Sequence, residues 1–473
     1  MKTYFTLKLV LVLAVLLSLP ACQSFNGLSG EAAKSTALPA LSGPRASVLG
    51  ESALAFKQSS DSSNVSLLPI SASTGKIVAG YQPIDVGQTN EYVFSPNREQ
   101  LAIVSLGAKD CALICLHLLD LRTWKYSIPP VDLSKDSGAY FSNLVFDTQG
   151  KKLAMVYNFG NNLSQLVLLD LVQAKVIARS DLNYSPMIDS FTPNGSLAVW
   201  GSVARSQQNR IGHAALLDGN NLAVQWQQDF PQVNFGNDIL AETLDPASSR
   251  FLNPAAVFSL DSSKLYIDLA DEPKLMTIDF ASQSVSSRVV EPPRSLIERL
   301  FDSTAGLAYA KALNGTIKTG LLSADGSYMF VVGQTWHAVK DSSGNINTIS
   351  TPTGLQVINV NSGALVTSLD TDATDMTLSP DGTRLFLYSW KQYNDVLSLP
   401  STQMMDVKRL AVVNTLPGQY TPSRLLDGKI GWLYESPQPD STDRLAIYEP
   451  AGNKPRSEWS EPNLNIMFWL AVP

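Results

Sequence analysis

Three cysteines and three histidines are all that the 473-residue chain offers for thiol or imidazole chemistry. Cys22 closes an apolar N-terminal run, whereas Cys111 and Cys115 lie four positions apart. On an extended strand such a pair is ~13 Å apart, beyond the ~7 Å Cα limit for a disulfide. A bond between them therefore requires the chain to turn just after Cys111, and Lys109-Asp110 has the character of a loop that permits it. His117 sits among the leucines of LHLLDL and His213 opens an apolar strand, so both read as packing residues; only His337 falls in a long polar stretch. Asp238, Glu242 and Asp245 form the one compact acidic group. They lack the alternating oxygen ligands and Gly of a calcium loop and read as a solvated loop. No Gly-x-Ser-x-Gly elbow and no phosphate-cradling Gly loop occurs. The expectation is a protein with no resident metal, no cofactor and no catalytic set, and an enzyme is the less favoured outcome.

Binding chemistry is better represented. Trp336 and His337 lie in the stretch 334–353, and Trp390 and Tyr393 in or beside 389–402. Aromatic residues on neighbouring loops build recognition hot spots, although the same residue types also serve as packing elements. Charged residues make up 16% of the chain and hydrophobic ones 44%, which marks a folded body with a quiet polar surface. The formal net charge is -7 and no long Lys/Arg cluster occurs, so nucleic acid is excluded as a partner for want of phosphate-neutralising charge.

The N-terminus reads as an address. Lys2 and Lys8 precede an apolar run from Leu9 to Leu19, shorter than the ~20 residues a bilayer span needs. The run ends in Leu19-Pro20-Ala21-Cys22, which resembles the lipobox of bacterial lipoproteins; Pro20 departs from the small residue usual there. That resemblance implies a signal peptide over 1–21, acylation of Cys22 with palmitate-type chains, and a body outside the cytoplasm. Gln23 follows the Cys where Asp would signal inner-membrane retention, so the outer membrane is expected in a Gram-negative cell, and otherwise the outer leaflet of the cytoplasmic membrane. Residues 22–47, rich in Ser, Ala, Gly and Pro, read as a flexible tether.

The remainder, 48–473, repeats one unit. An apolar stretch, a Ser/Thr-Pro-Asn/Asp-Gly type of turn and a short apolar strand recur from Val48, Phe94, Phe146, Phe191, Phe258, Leu321, Leu378 and Leu425. A second hairpin follows each, from Val65, Leu116, Leu166, Ala214, Lys274, Leu355, Gln403 and Leu445. Four short strands per period, unable to bury both faces except against neighbours, define an all-β fold: a single β-propeller of four-stranded blades. Both hairpin series point to eight blades; seven result if the unit from Val48 merely completes another blade. LNIMFWLAVP, the apolar C-terminal strand from Leu464, has no partner of its own and is expected to close the ring in the first blade.

Residues 355–389, LQVINVNSGALVTSLDTDATDMTLSPDGTRLFLYS, resemble one full period of bacterial YVTN-type propellers, relatives of the WD-repeat architecture. The resemblance implies the fold and says almost nothing of function. In such blades, called A to D from the inner strand outward, the A–B and C–D turns share one face and the B–C and D–A connections the other. The long segments 229–253 and 289–318 are D–A connections and 334–353 and 389–402 are B–C connections, so all insertions fall on one face. Within 289–318, Pro293 with Leu296, Ile297, Leu300 and Phe301 predicts a short amphipathic helix. The function expected is a monomeric, lipid-anchored, protein-binding or scaffold propeller of the bacterial cell envelope, engaging an envelope protein or polymer through the long-loop face. The alternative is a lactonase-like or other hydrolase with its site at the central channel, which would need convergent carboxylates and bases there.

Overall fold

The structure, a computed structural model, describes most of residues 52–469. Residues 1–51, 107–113, 134–139, 159–163, 206–209, 240–248, 291–314, 341–345, 390–391, 394–395, 398–400, 425–429, 436–443, 449–454, 461–465, 470–473 and a few positions between 59 and 75 lie outside the description. The signal, Cys22 and the tether therefore fall outside it, as do Cys111 and the expected helix around Pro293.

Every described regular element is a strand, and the antiparallel pairing follows chain order. Blade one comprises Ile84–Phe94, Gln100–Leu106, Ile114–Asp120 and Lys125–Tyr126. Blade two is Tyr140–Phe146, Lys152–Asn158, Ser164–Asp170 and Lys175–Leu182, and blade three Ser185–Phe191, Leu197–Ala204, Arg210–Leu217 and Val224–Ile239. Blade four is Ala255–Phe258, Lys264–Asp268, Lys274–Asp279 and Ser284–Val289. Blade five is Gly315–Leu322, Tyr328–Lys340, Leu355–Asn359 and Leu365–Leu369, and blade six Asp375–Leu378, Arg384–Ser389, Ser401–Asp406 and Ala411–Pro417. Blade seven is Gln419–Arg424, Ile430–Glu435, Arg444–Tyr448 and Pro455–Ser460. First strands touch between blades one and two, two and three, four and five, five and six, and six and seven, which places strand A innermost. Burial follows: the second strand Leu197–Ala204 is almost wholly buried, while the fourth strand Ser284–Val289 is exposed throughout.

The eight blades expected are corrected to seven. In the segment from Val48 the described residues Ser52–Gln58 form one uninterrupted strand that pairs with Val65–Ser71. This hairpin has two strands of its own, takes a third from the chain's end by pairing Phe56 with Phe468, and reaches a fourth only at the start of Ile84–Phe94. Blade one already uses that strand, and the whole forms one eight-stranded sheet. The C-terminal strand Ile466–Trp469 thus pairs with the N-terminal strand Ser52–Gln58, joining the two ends of the described chain.

Two turn designs recur in the first six blades and account for the sequence period. In the A–B turn the amide of the fourth residue donates to the first carbonyl, as from Arg98 to Ser95, Gly195 to Thr192 and Gly382 to Ser379, at 2.8–2.9 Å. That fourth residue has positive φ in every one: Arg98, Gly150, Gly195, Ser262, Gly326 and Gly382. Ser259, Ser323 and Ser379 also donate their hydroxyls to Asp261, Asp325 and Asp381 at 2.6–2.7 Å. Burial alone would raise these carboxyls, but the hydrogen bonds from the serines and from backbone amides outweigh it and hold all three low. In the C–D turn a carboxylate or amide ending strand C caps the turn, as Asp170 does for the amides of Val172 and Gln173. Four residues beyond the capping residue stands another positive φ: Trp124, Ala174, Leu222, Gln283, Gly363 and Leu410.

The core is divided among the seams between blades. Ala102, Val104 and Leu116 of blade one meet Leu153, Met155 and Val167 of blade two. Phe330 and Val357 of blade five meet Met376, Leu385 and Met405 of blade six. Each sheet buries both faces against its neighbours, which is why the strands read as apolar runs rather than as an alternating pattern.

Candidate functional site

The two faces of the propeller differ in what its strands do at their ends. The described A–B and C–D turns are short, whereas two strands overrun their blades on the opposite face. Val224–Ile239, sixteen residues long, pairs within blade three as far as Phe235. Its last residues, Gly236 to Ile239, then pair with Ser249–Asn253. That short strand lies parallel to the start of Gly315–Leu322, with Leu252 opposite Thr316. Tyr328–Lys340 continues past blade five to form a hairpin with Ile346–Pro352. One sheet thereby ties together the ends of blades three and five, through the strand leading into blade four. Side chains reinforce it: Asn234 donates to Asp271 at 2.9 Å, and Lys318 donates to Asp268 at 2.7 Å and to the Leu269 carbonyl at 2.6 Å. Burial raises the Asp268 carboxyl, and Lys318 opposes that shift.

The stretches 229–253 and 334–353, expected as loops, are thus largely strand. Their backbone groups are satisfied by pairing, and the second is rich in the β-branched residues that favour it. Trp336 pairs through its backbone with Ser350, and His337 with Ile349. Tyr393 belongs to a two-residue strand, Gln392–Tyr393, paired with Val396–Leu397, while Trp390 lies outside the described residues. The side chains of Trp336, His337 and Tyr393 are also outside the description, so the expected aromatic group is placed only by its backbone. Asp238 is in strand opposite Arg250, and Glu242 and Asp245 are not described. Among the described residues no group of three His, Cys, Asp or Glu could hold a metal ion. Cys115 is disulfide-bonded, and its partner lies outside the described residues.

A polar cluster that the sequence did not single out occupies the same end of the molecule, in the seam between blades two and three. The inner strands of blades one, two and three each carry a register shift at the same place, four to six residues before the A–B turn. Such bulges re-aim side chains at barrel rims. Beside them stand Glu91, Asn143 and Asp189. Burial raises Glu91. Asp189, 7% exposed, is pushed up to about 7 by burial, against a hydrogen bond that Asn143 Nδ2 donates to its Oδ1. Tyr184, immediately before the inner strand of blade three, stacks on His213 with ring centroids 4.2 Å apart. Burial and then the charge of Asp189 raise its phenol. His213 Nδ1 lies 2.6 Å from Asp229 Oδ1, on an outer-strand side chain that is 55% exposed. Gly201 makes this packing possible, since a Cβ there would stand 2.1 Å from the Ser185 carbonyl. Arg210 closes the end of the cluster on Ser185 and Ser202 at 2.7–2.8 Å.

His213, expected as a packing residue, is therefore buried but also carries a carboxylate partner. His117 is buried too, and lies against Tyr126 with centroids 5.2 Å apart.

No family model and no curated protein matches the chain. Among solved structures it is similar to the dihydro-heme d1 dehydrogenase NirN in complex with DHE, at 14% identity and a TM-score of 0.49, covering 87% of this chain and 75% of that one. It is also similar to the β-propeller domain of Cps50 (Swd1) from Myceliophteria thermophila, at 11% identity and a TM-score of 0.41 over 74% and 93% of the two chains. TolB from Acinetobacter baumannii is similar at 14% identity and a TM-score of 0.33 over 78% and 64%. These likenesses concern the fold alone. The blade architecture rests on the strand pairing described above, and the YVTN likeness of residues 355–389 has no family match behind it.

Proposed function

We propose that this protein is a lipid-anchored, extracytoplasmic β-propeller of the bacterial envelope that binds an envelope protein or polymer through the face carrying its strand extensions. The observation that carries the proposal is the asymmetry of the two faces. Among the described residues one bears repeated short turns; the other bears the overrun of Val224–Ile239, the paired strand Ser249–Asn253 and the hairpin Tyr328–Lys340 with Ile346–Pro352. Insertions on one face of a repeat architecture are the usual place for recognition. A strand platform also offers a partner a surface ordered before binding, which lowers the entropic cost of association. The sequence Leu19-Pro20-Ala21-Cys22 supports anchoring through acyl chains on Cys22. The disulfide at Cys115 fits an oxidising compartment, and Cys111 is the partner we assign to it.

Two measurements test the two halves of the proposal. Mass analysis of the mature N-terminus should find residue 22 as a diacylglyceryl cysteine, and Cys22→Ser should release the protein from the membrane fraction. An unprocessed N-terminus or a soluble wild-type protein would overturn the anchor. Replacing 336–350 by a short Gly-Ser turn should abolish retention of the partner while leaving the melting temperature unchanged. Undiminished retention would overturn the assignment of the face.

A further inference from the structure

The seam between blades two and three holds three polar atoms that no described residue satisfies: Tyr184 Oη, Asp189 Oδ2 and His213 Nε2. All three side chains are more than nine-tenths buried, at 3%, 7% and 5% exposure. Their surroundings are apolar: Ala154, Val156, Leu166 and Leu168 of blade two and Val199 and Ala215 of blade three line the same seam. The fold does not require a carboxyl at this register. The residue three places before the A–B turn is Tyr92, Leu144, Ala256, Gly320 and Met376 in the other five blades whose turns are described. An unpaired polar atom in such a place costs on the order of 1–3 kcal/mol, so three together need an occupant.

The geometry points to a buried water site, in which one water molecule donates hydrogen bonds to Asp189 Oδ2 and His213 Nε2 and accepts one from Tyr184 Oη. Donor and acceptor capacities select this occupant. In the tautomer that donates Nδ1–H to Asp229, His213 presents a lone pair at Nε2. Asn143 already occupies Asp189 Oδ1, which leaves Oδ2 to accept, and the phenol supplies a donor. Two acceptors and one donor match the usual three bonds of an internal water. The water completes a chain from Asp229, exposed on the outer strand of blade three, through His213 and Asp189 to Asn143 on the inner strand of blade two. When Asp189 is protonated its Oδ2–H donates and the water turns, so the site is satisfied in either state.

The groups facing Asp189 are few. Its own blade offers Tyr184, His213 with Asp229, and Arg210, which is committed to Ser185 and Ser202. Blade two offers Asn143 and otherwise the apolar residues named above, with Glu91 on the next inner strand beyond it.

A high-resolution crystal structure of the mature protein at pH 5 and pH 8 tests the site. One ordered water within hydrogen-bond reach of all three atoms is the expected result. Direct bonding among the three side chains would overturn the proposal, as would a metal ion there, revealed by anomalous scattering and by metal analysis of the protein. The proton linkage is tested by melting. A carboxyl raised in the folded state binds its proton more tightly there than in the unfolded chain, so stability falls as pH rises from about 4 to about 7. The parent protein should lose a few degrees between pH 5 and pH 8 that Asp189→Asn does not lose. Tyr184→Phe should keep that pH dependence while lowering the occupancy of the water. Identical pH dependence in parent and Asp189→Asn would overturn the linkage.

Discussion

Blade three has two faces of opposite character. Toward blade four, Trp200 packs with Phe230 and Phe235 at centroid distances of 5.8 and 5.7 Å, over Leu265 and Ile267. Toward blade two, the same sheet presents Asp189 and His213, with Tyr184 alongside. Both faces are buried to a similar degree, but the first is buried mainly through apolar contact. Apolar contact holds the ring together and is indifferent to pH. The Asp189 carboxyl, raised by burial in the equivalent seam, makes stability depend on pH, and five other blades manage without a carboxyl there. The seam between blades two and three is therefore a place at which pH can act on the stability of the fold.

The contrast can be broken at several points. Trp200→Ala, at a side chain 1% exposed, should cost about 3–5 kcal/mol in equilibrium unfolding and should cost the same at pH 5 and pH 8. Next in size, Asp189→Asn should change in stability relative to the parent by on the order of 2–4 kcal/mol between pH 4 and pH 8, gaining toward the alkaline end. If both variants were equally insensitive to pH, the distinction between the two seams would fail. Gly382→Ala, at φ 69° with the Ala324 Cβ 2.2 Å from the added carbon, should cost about 1–3 kcal/mol at any pH, because the strain lies in an A–B turn remote from either seam. Val172→Thr, on a C–D turn where Val172 is 74% exposed, should stay within ~0.5 kcal/mol in thermal melting.

The propeller was legible because its A–B turns require positive φ, and four of six meet the requirement with Gly. The C–D turns make the same demand at Trp124, Ala174, Leu222, Gln283 and Leu410, where no glycine marks it; the capping Asp four residues earlier in each is the visible sign. The eighth unit was over-read because Ser52–Gln58 has the apolar content of an inner hairpin without the turn that makes one. The overrun of Val224–Ile239 was hidden by Pro231, Asn234 and Gly236, which read as loop residues, whereas the chain absorbs the first of them in a register shift opposite Ile211 and Gly212. The polar seam could not be found from composition, since Asp189 is one of many aspartates. Alignment of the blades on their turns exposes it, by setting an acid against Tyr92, Leu144, Ala256, Gly320 and Met376. Trp336, His337 and Tyr393, expected in loops, lie on strands.

We propose that the face with strand extensions engages the partner, and site-specific photo-crosslinking in the native envelope decides between the two faces. A photoreactive residue at Ser350, exposed on the extended hairpin, is compared with one at Leu260, exposed on an A–B turn of the opposite face. A discrete adduct from position 350, competed away by excess unlabelled protein and absent from position 260, is the expected result; an adduct from position 260 alone would contradict it.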